Sequence, residues 1–166
     1  MKKIALIITA ALSLAACSST PSNDSDIATV EATTQGVPQL DAKAMSQLRD
    51  PNSPLSKRSV YFGYDEYNVQ AEYTQLLAAH AKFIAAQKNA RVLIQGNTDE
   101  RGSREYNLAL GQKRADAVKK QLVIMGAPEE RIESVSLGKE KPKALGDNEA
   151  AWAENRRADL LYNGEY

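Results

Sequence analysis

The segment GNTDERGSREYNLALGQKRA, residues 96–115, leads from the end of a short apolar strand, through a turn bounded by glycines, into a long helix. The preceding residues RVLIQG (91–96) are typical of a buried strand. The helix is predicted over 104–125, where Leu108, Gly111, Ala115, Val118 and Leu122 recur at spacings of three and four and mark a core-facing stripe. Gly126 and Pro128 follow in the order that ends a helix. The segment therefore predicts a strand, a turn and a helix that packs back on the strand.

Further segments on both sides alternate in the same way. Upstream, residues 59–64 favour a strand and 69–88 a helix; downstream, 134–138 favour a strand, 148–155 a short helix and 158–162 a last strand. The order β-α-β-α-β-β over about 110 residues predicts an α/β fold (an α+β sandwich), with one mixed sheet and helices packed on a face.

The N-terminus has the features of a bacterial export signal. Lys2 and Lys3 precede an apolar run over residues 4–16, which is shorter than the roughly 20 residues that a membrane-spanning helix needs. The small residues before Cys17 resemble a lipobox, in which the cysteine is acylated and becomes the mature N-terminus. We expect residues 1–16 to be a lipoprotein signal peptide, Cys17 to carry lipid, and Ser18 to direct sorting to the outer membrane.

Residues 17–56 are predicted to be a lipidated N-terminus and a flexible linker. Their composition is rich in Ser, Thr, Asn, Asp, Gln and Pro, and large apolar residues are few. Residues 41–50 are expected to form only a transient helix, because an isolated segment of that length does not persist. The folded domain is expected over residues 57–166.

The charge balance and the single histidine argue against nucleic-acid binding, a metal site and a catalytic Cys-His pair. Lysine plus arginine equals aspartate plus glutamate at 21 each, so no basic footprint for nucleic acid is present. The only histidine, His80, lies on the apolar side of a predicted helix, where a packed structural role is the usual one. It has no second histidine or free cysteine with which to form a metal site or a catalytic pair, and no cofactor is expected.

The turn itself suggests a site for a zwitterion. Asp99 follows the end of a strand, the edge at which α/β sheets commonly bind ligands. Asn107, Leu110 and Arg114 share one helix flank beside the core stripe, and helical side chains lean back toward the turn. An ammonium and a carboxylate on one carbon would match Asp99 and Arg114. The alternative, in which Asp99 only caps the turn and Arg114 pairs with a surface acid, stays open.

A hydrolase is a second possibility. Asp99 and Glu100 are adjacent acids, but neighbours on one turn point apart, whereas a glycosidase needs two carboxylates that flank one bond. Asp65 and Glu66, after the first predicted strand, could supply a second carboxylate.

Four stretches resemble the OmpA-like peptidoglycan-binding domain family, most closely its lipoprotein members: YFGYDEY, IQGNTDERGSREYNLALGQKRADAVKKQL, SLGKEKP and NRRADLLY. The pattern T-D-x-x-G-x-x-x-x-N-x-x-L-x-x-x-R is met by Thr98, Asp99, Gly102, Asn107, Leu110 and Arg114. The resemblance covers residues 59–162.

The resemblance implies a non-enzymatic protein that binds the diaminopimelate of a peptidoglycan stem peptide. Asp99 would receive the ligand's ammonium and Arg114 its carboxylate. Leu110 would pack on the aliphatic stem. The family pattern places five further residues at the site with these, and Asn97 stands where many members have His: Asn97, Thr98, Tyr64, Asp65 and Asn107. Arg156 and Arg157 match a family motif but are expected to lie outside the site.

The resemblance also implies partners and a location. The protein would face the periplasm from the outer membrane, hold that membrane to the wall, and bind the periplasmic β-propeller protein of the Tol system at a face that overlaps the wall site. Envelope integrity and cell division would depend on it. A lipoprotein that scaffolds other proteins without binding the wall is a further alternative.

Overall fold

The structure is a computed structural model that describes residues 39–166. The leader, Cys17 and the first part of the predicted linker lie outside the described residues. In chain order the helices and strands are α1 (Ala42–Arg49), β1 (Ser59–Tyr61), α2 (Thr74–Ala86), β2 (Val92–Asn97), α3 (Arg104–Ile124), β3 (Ile132–Gly138), α4 (Glu149–Asn155) and β4 (Arg157–Tyr162). No helix within residues 39–166 is both long and apolar enough to cross a membrane.

The strands form one mixed sheet in the order β1-β4-β2-β3. β2 and β3 are parallel, which requires a crossover, and α3 supplies it while packing on both strands. β4 is antiparallel to β1 and β2 and lies between them. The predicted α/β sandwich with a mixed sheet is confirmed. Its consequence for the site is that the carboxyl end of β2, where residues 97–99 begin the turn, lies beside the N-terminus of α3.

The inward face of α3 differs from the predicted stripe at its first turn. Leu108 is 52% exposed, whereas Asn107 and Arg114 are fully buried with Gly111, Ala115, Val118 and Leu122. Asn107 takes the inward position because its side chain bonds the turn before the helix, and a rotation of about 100° per residue then carries Leu108 outward. The prediction that Leu108 belongs to the core is therefore wrong.

Residues 40–56 differ more strongly from the predicted flexible linker. Leu40, Ala44, Leu48 and Leu55 are buried in the hydrophobic core, and α1 begins at a cap where Asp41 accepts a hydrogen bond from the Ala44 amide at 2.6 Å. An eight-residue helix is unstable alone, but tertiary packing of its apolar side stabilises it. The packed part of the chain therefore begins before residue 57, and the sequence-based boundary at 56 is too late.

Close packing between β2 and α3 sets the position of the turn. A Cβ atom on Gly96 would lie 1.8 Å from the carbonyl oxygen of Gly111, so only glycine fits there. This contact holds the first half of α3 against the end of β2, and the turn that joins them is held at both of its ends.

Candidate functional site

The turn after β2 is tied to the neighbouring strand end. The Thr98 amide donates to the carbonyl of Gly138 at 2.8 Å, which joins the ends of β2 and β3. Gly102 has φ 90°, the left-handed conformation that the turn requires and that glycine adopts without strain.

Asn107 fixes the same turn from the helix side. Its Nδ2 donates to the carbonyls of Arg101 at 2.8 Å and Ser103 at 3.0 Å. Ser103 is the N-cap of α3, and its hydroxyl accepts from the Tyr106 amide at 3.1 Å. The motif asparagine therefore orders the turn, and the direct ligand contact expected from it remains a prediction.

A pocket of about 90 Å³ opens at this turn. It is lined by Tyr64, Asp65, Thr98, Asp99, Arg101, Gly102, Tyr106, Asn107, Leu110 and Arg114. The structure thus places seven of the eight predicted site residues around one pocket, although they come from three separate parts of the chain. The exception is Asn97, which is buried and does not line the pocket. Its Nδ2 donates to the carbonyl of Gln95 at 3.1 Å.

Asp99 is the anionic group of the pocket. It is 5% exposed, and its carboxylate accepts from Arg101 through Nε at 3.2 Å, Nη2 at 2.7 Å and the backbone amide at 3.1 Å. Arg156 Nη1 contacts it at 3.4 Å. Burial acts to raise the pKa of Asp99, but the hydrogen bonds and charge of Arg101 outweigh burial and hold the pKa below its usual value. The group is ionised at neutral pH.

Arg114 is fully buried and forms no ion pair among the described residues, so the alternative in which it pairs with a surface acid is wrong. It donates to three backbone carbonyls: Nε to Glu66 at 2.8 Å, Nη1 to Asn97 at 2.9 Å and Nη2 to Gly63 at 3.1 Å. Burial lowers the pKa of Arg114 to about 10, so the guanidinium stays charged at neutral pH. Arg114 clamps the turn after β1 to the end of β2.

Asp65 lies inside the segment that Arg114 clamps. It has φ 55°, which is uncommon for a residue other than glycine and is found at functional sites. The Tyr106 hydroxyl donates to its carboxylate. The family resemblance places Tyr64 and Asp65 at the side of the site opposite Asp99 and Arg114. Both residues line the pocket in the structure, and Tyr64 is 65% exposed.

Several side chains at or beside the pocket have no place in the sequence-based prediction. The Arg101 guanidinium lies between two rings, 4.3 Å from the centroid of Tyr64 and 4.0 Å from that of Trp152. Trp152 Nε1 donates to Glu100 at 2.9 Å. Trp152 stands on α4, some 50 residues beyond the turn, and no local pattern links the two. Arg156 was expected outside the site but contacts Asp99 directly.

Two buried polar atoms at the end of β2 and in the turn after it have no hydrogen-bond partner among the described residues. They are the Thr98 hydroxyl, which lines the pocket, and Asn97 Oδ1. Because a buried polar atom without a partner is costly, the Thr98 hydroxyl favours a ligand that carries a hydrogen-bonding group.

The chain belongs to the OmpA family, whose sequence profile matches residues 61–156. A protein of Legionella pneumophila named peptidoglycan-associated lipoprotein is 38% identical over 165 residues, which cover 96% of this chain and 94% of the relative. A protein of Pasteurella multocida with the same name is 54% identical over 104 residues, 63% of this chain and 69% of the relative. The crystal structure of the peptidoglycan-associated lipoprotein from Burkholderia pseudomallei superposes with a TM-score of 0.69 and 60% identity, covering 70% of this chain and 99% of that one.

Proposed function

We propose that this protein binds the diaminopimelate of a peptidoglycan stem peptide without covalent chemistry, and that it holds the outer membrane to the cell wall. The observation that carries the proposal is the pocket in which the ionised Asp99 and the charged Arg114 come together. A volume of about 90 Å³ is well below that of sites for whole drug-sized ligands, so the pocket suits the end of a chain-like ligand. An amino-acid head group has the matching size and both charges.

Arg114 can contact the ligand while it clamps the backbone. A guanidinium has five N–H donors, and three of them bond carbonyls here. The two that remain, one on each terminal nitrogen, are the pair that a carboxylate accepts in a bidentate contact. The backbone carbonyls fix the guanidinium before the ligand arrives, which reduces the entropy lost on binding.

The chemistry of Asp99 supports binding more than hydrolysis. A general acid needs a raised pKa so that it holds a proton at neutral pH, whereas the pKa of Asp99 is lowered. An ionised, buried carboxylate is instead a strong acceptor for an ammonium group.

Anchoring and partners complete the proposal. Cys17 is proposed to carry the lipid that holds the protein in the outer membrane, facing the periplasm. The β-propeller protein of the Tol system is proposed to bind at the pocket face. In support, Tyr64 and Tyr106 line the pocket and are 65% and 49% exposed, and such aromatic side chains are enriched at protein interfaces.

The test is the affinity of the described part of the chain for purified stem peptides. Asp99→Asn removes the negative charge at nearly constant size, and binding of a diaminopimelate stem is expected to weaken roughly ten- to hundred-fold, because a hydrogen bond to a charged group contributes about 1.5 to 3 kcal/mol. Titration calorimetry measures the change, and thermal unfolding checks the fold.

Asp116→Asn is the matched control. Asp116 lies on α3 and, like Asp99, accepts a side-chain hydrogen bond, from Ser134 at 2.7 Å, but it does not line the pocket. Equal binding by a folded Asp99→Asn protein would contradict the proposal. Release of new soluble fragments from purified wall would favour the hydrolase, and no retention of the wild type on wall material would favour the scaffold.

A further inference from the structure

Arg101 occupies the position at Asp99 that the proposed function gives to a ligand. Its guanidinium makes two side-chain hydrogen bonds to the carboxylate, and the guanidinium carbon lies over the rings of Tyr64 and Trp152. Its side chain is 31% exposed, against 6% for that of Asp99. In the free protein, the cation on Asp99 is therefore the protein's own.

The acceptor capacity of Asp99 is already filled. A carboxylate offers about four lone-pair positions. Here Oδ1 accepts the amide and Nε of Arg101, and Oδ2 accepts Nη2 of Arg101 and Nη1 of Arg156. An ammonium that arrives at Asp99 must displace one of these donors.

Only one of the donors can leave at low cost. The Arg101 amide is part of the turn. The side chain of Arg156 is 7% exposed and is held by the Phe62 carbonyl at 3.0 Å and by Glu149 at 2.6 Å. The Arg101 side chain is more exposed, and among the described residues its side-chain hydrogen bonds go to Asp99 alone, so it is the group that we expect an ammonium to displace.

The displaced guanidinium determines which ligands bind well. The faces of Tyr64 and Trp152 attract a cation but cannot accept its in-plane N–H bonds. A ligand that carries a carboxylate beside its ammonium supplies the missing acceptor, whereas a ligand with an ammonium alone does not. Glu149 Oε2 lies 4.0 Å from Arg101 Nη2, beyond hydrogen-bond distance, and Glu149 already accepts from Arg156. The exchange therefore keeps a hydrogen-bonded carboxylate on Arg101 with the first ligand and leaves only this longer ion pair with the second.

Resting on the proposed function, we infer that Arg101 is a specificity-determining residue, which passes from Asp99 to the ligand's carboxylate when the ligand's ammonium takes its place. The ligand class that this exchange favours is an α-amino acid zwitterion at the end of a peptide side chain, over a simple primary amine.

The test compares two stem peptides of equal length, one with diaminopimelate and one with lysine, on wild type and Arg101→Ala. The wild type is expected to prefer diaminopimelate. In Arg101→Ala the lysine stem no longer has to displace a cation and the diaminopimelate stem loses one partner for its carboxylate, so the preference is expected to shrink about ten-fold. Arg101→Lys should give an intermediate preference, because an ammonium does not reproduce the planar fork.

Arg104→Ala is the matched control. It removes the same charge three residues away, from an exposed side chain that pairs with Glu140 at 3.0 Å, and it should leave the preference unchanged. Trp152 is the only tryptophan in the chain, so the fluorescence of the protein reports on the contact between Trp152 and Arg101. Its emission should change when wild type binds the diaminopimelate stem, and this response should be absent in Arg101→Ala.

The outcomes separate the inference from the proposed function. An unchanged preference in Arg101→Ala, or an equal loss of both stems, would overturn the role of Arg101 and leave diaminopimelate binding intact as a function of the wild type. A wild type that binds neither stem would overturn the proposed function, and this inference with it.

Discussion

His80 shows how a single buried side chain makes the domain sensitive to pH. It is fully buried and joins α2 to two other parts of the chain. Nε2 lies 2.9 Å from the Lys57 carbonyl, which can only accept, so the proton is on Nε2. Nδ1 then accepts from the Tyr162 hydroxyl at 2.8 Å. A neutral ring satisfies both contacts, whereas a second proton would face the Tyr162 hydroxyl and the nearby charge of Arg58.

Stability is therefore expected to fall in mildly acidic solution. Burial lowers the pKa of His80 from 6.5 to about 4. Between these values the unfolded chain binds a proton that the folded protein does not, so the free energy of unfolding should decrease by about 3 kcal/mol as the pH falls through this window, and His80 should add no further change below pH 4. Urea unfolding at several pH values measures the slope.

His80→Gln provides the control, since an amide can bond both partners and does not titrate. Its unfolding free energy should be flat over the same window, at a lower overall value. Asp99 contributes at lower pH, because its lowered pKa makes its stabilisation disappear only as the pH falls below its unfolded value of 3.8. A wild type whose stability does not change between pH 6.5 and 4 would rule out the role of His80.

The sequence predicts the residues of the pocket better than their contacts. Asp99, Leu110 and Arg114 lie within 16 consecutive residues. The geometry of the turn and the helix that follows it brings their side chains together. Asp99 is a local partner of Arg101, but other partners of Arg101 and Arg114 are distant in sequence. Trp152 comes from α4, and the carbonyls of Gly63 and Glu66 come from the turn after β1, so their roles depend on the packed sheet.

At the scale of elements, most predicted bounds agree with the structure within one or two residues, and the larger differences are at β1 and at α2, which is predicted over 69–88 and spans Thr74–Ala86. The predicted helix over 104–125 is α3 (Arg104–Ile124), and the predicted strand over 91–96 is β2 (Val92–Asn97). β1 ends at Tyr61, three residues before the predicted end, because the following residues form the turn that Arg114 holds. α1 depends on burial of Leu48, which no local pattern reveals.

The contact of Gly96 with Gly111 is expected to be essential for the packing of β2 on α3. Gly96→Ala introduces no left-handed strain, but its Cβ would lie 1.8 Å from a backbone oxygen, which cannot move without shifting the helix. Overpacking typically costs about 1 to 3 kcal/mol and occasionally more, and a clash with a backbone atom should lie at the upper end, about 3 kcal/mol. Urea unfolding should show this loss in the free energy of unfolding, or no folded protein.

Gly126→Ala is the control that measures the cost of an unfavourable backbone conformation without a steric clash. Gly126 has φ 97° and nothing within 4 Å of an added Cβ, so the substitution should cost only the left-handed penalty of about 1 to 2 kcal/mol. Similar losses in the two variants would mean that β2 and α3 move apart easily, and that the turn between them is not held by this contact.

At the scale of the whole molecule, the packing of α1 limits how far the proposed anchor can lie from the pocket. A linker of residues 18–56 could extend to about 130 Å, whereas a chain that is packed from residue 40 leaves 22 residues and at most about 75 Å. The wall would then have to lie closer to the membrane for the pocket to reach it.

Trypsin distinguishes these two descriptions of the molecule. Between residues 4 and 56 its only sites follow Lys43 and Arg49, and both lie in α1. A flexible linker would be cut at both sites at once, whereas a packed helix should resist. Leu48→Ala removes a buried side chain at a cost of about 2 to 5 kcal/mol, so both cuts should become at least ten-fold faster as α1 detaches more often. Gln47→Ala changes the exposed neighbour and should leave the rate unchanged. Mass spectrometry identifies the fragments. Rapid cleavage of the wild type after Lys43 would show that α1 does not stay packed in solution, because a protease can bind only a segment that has left the core.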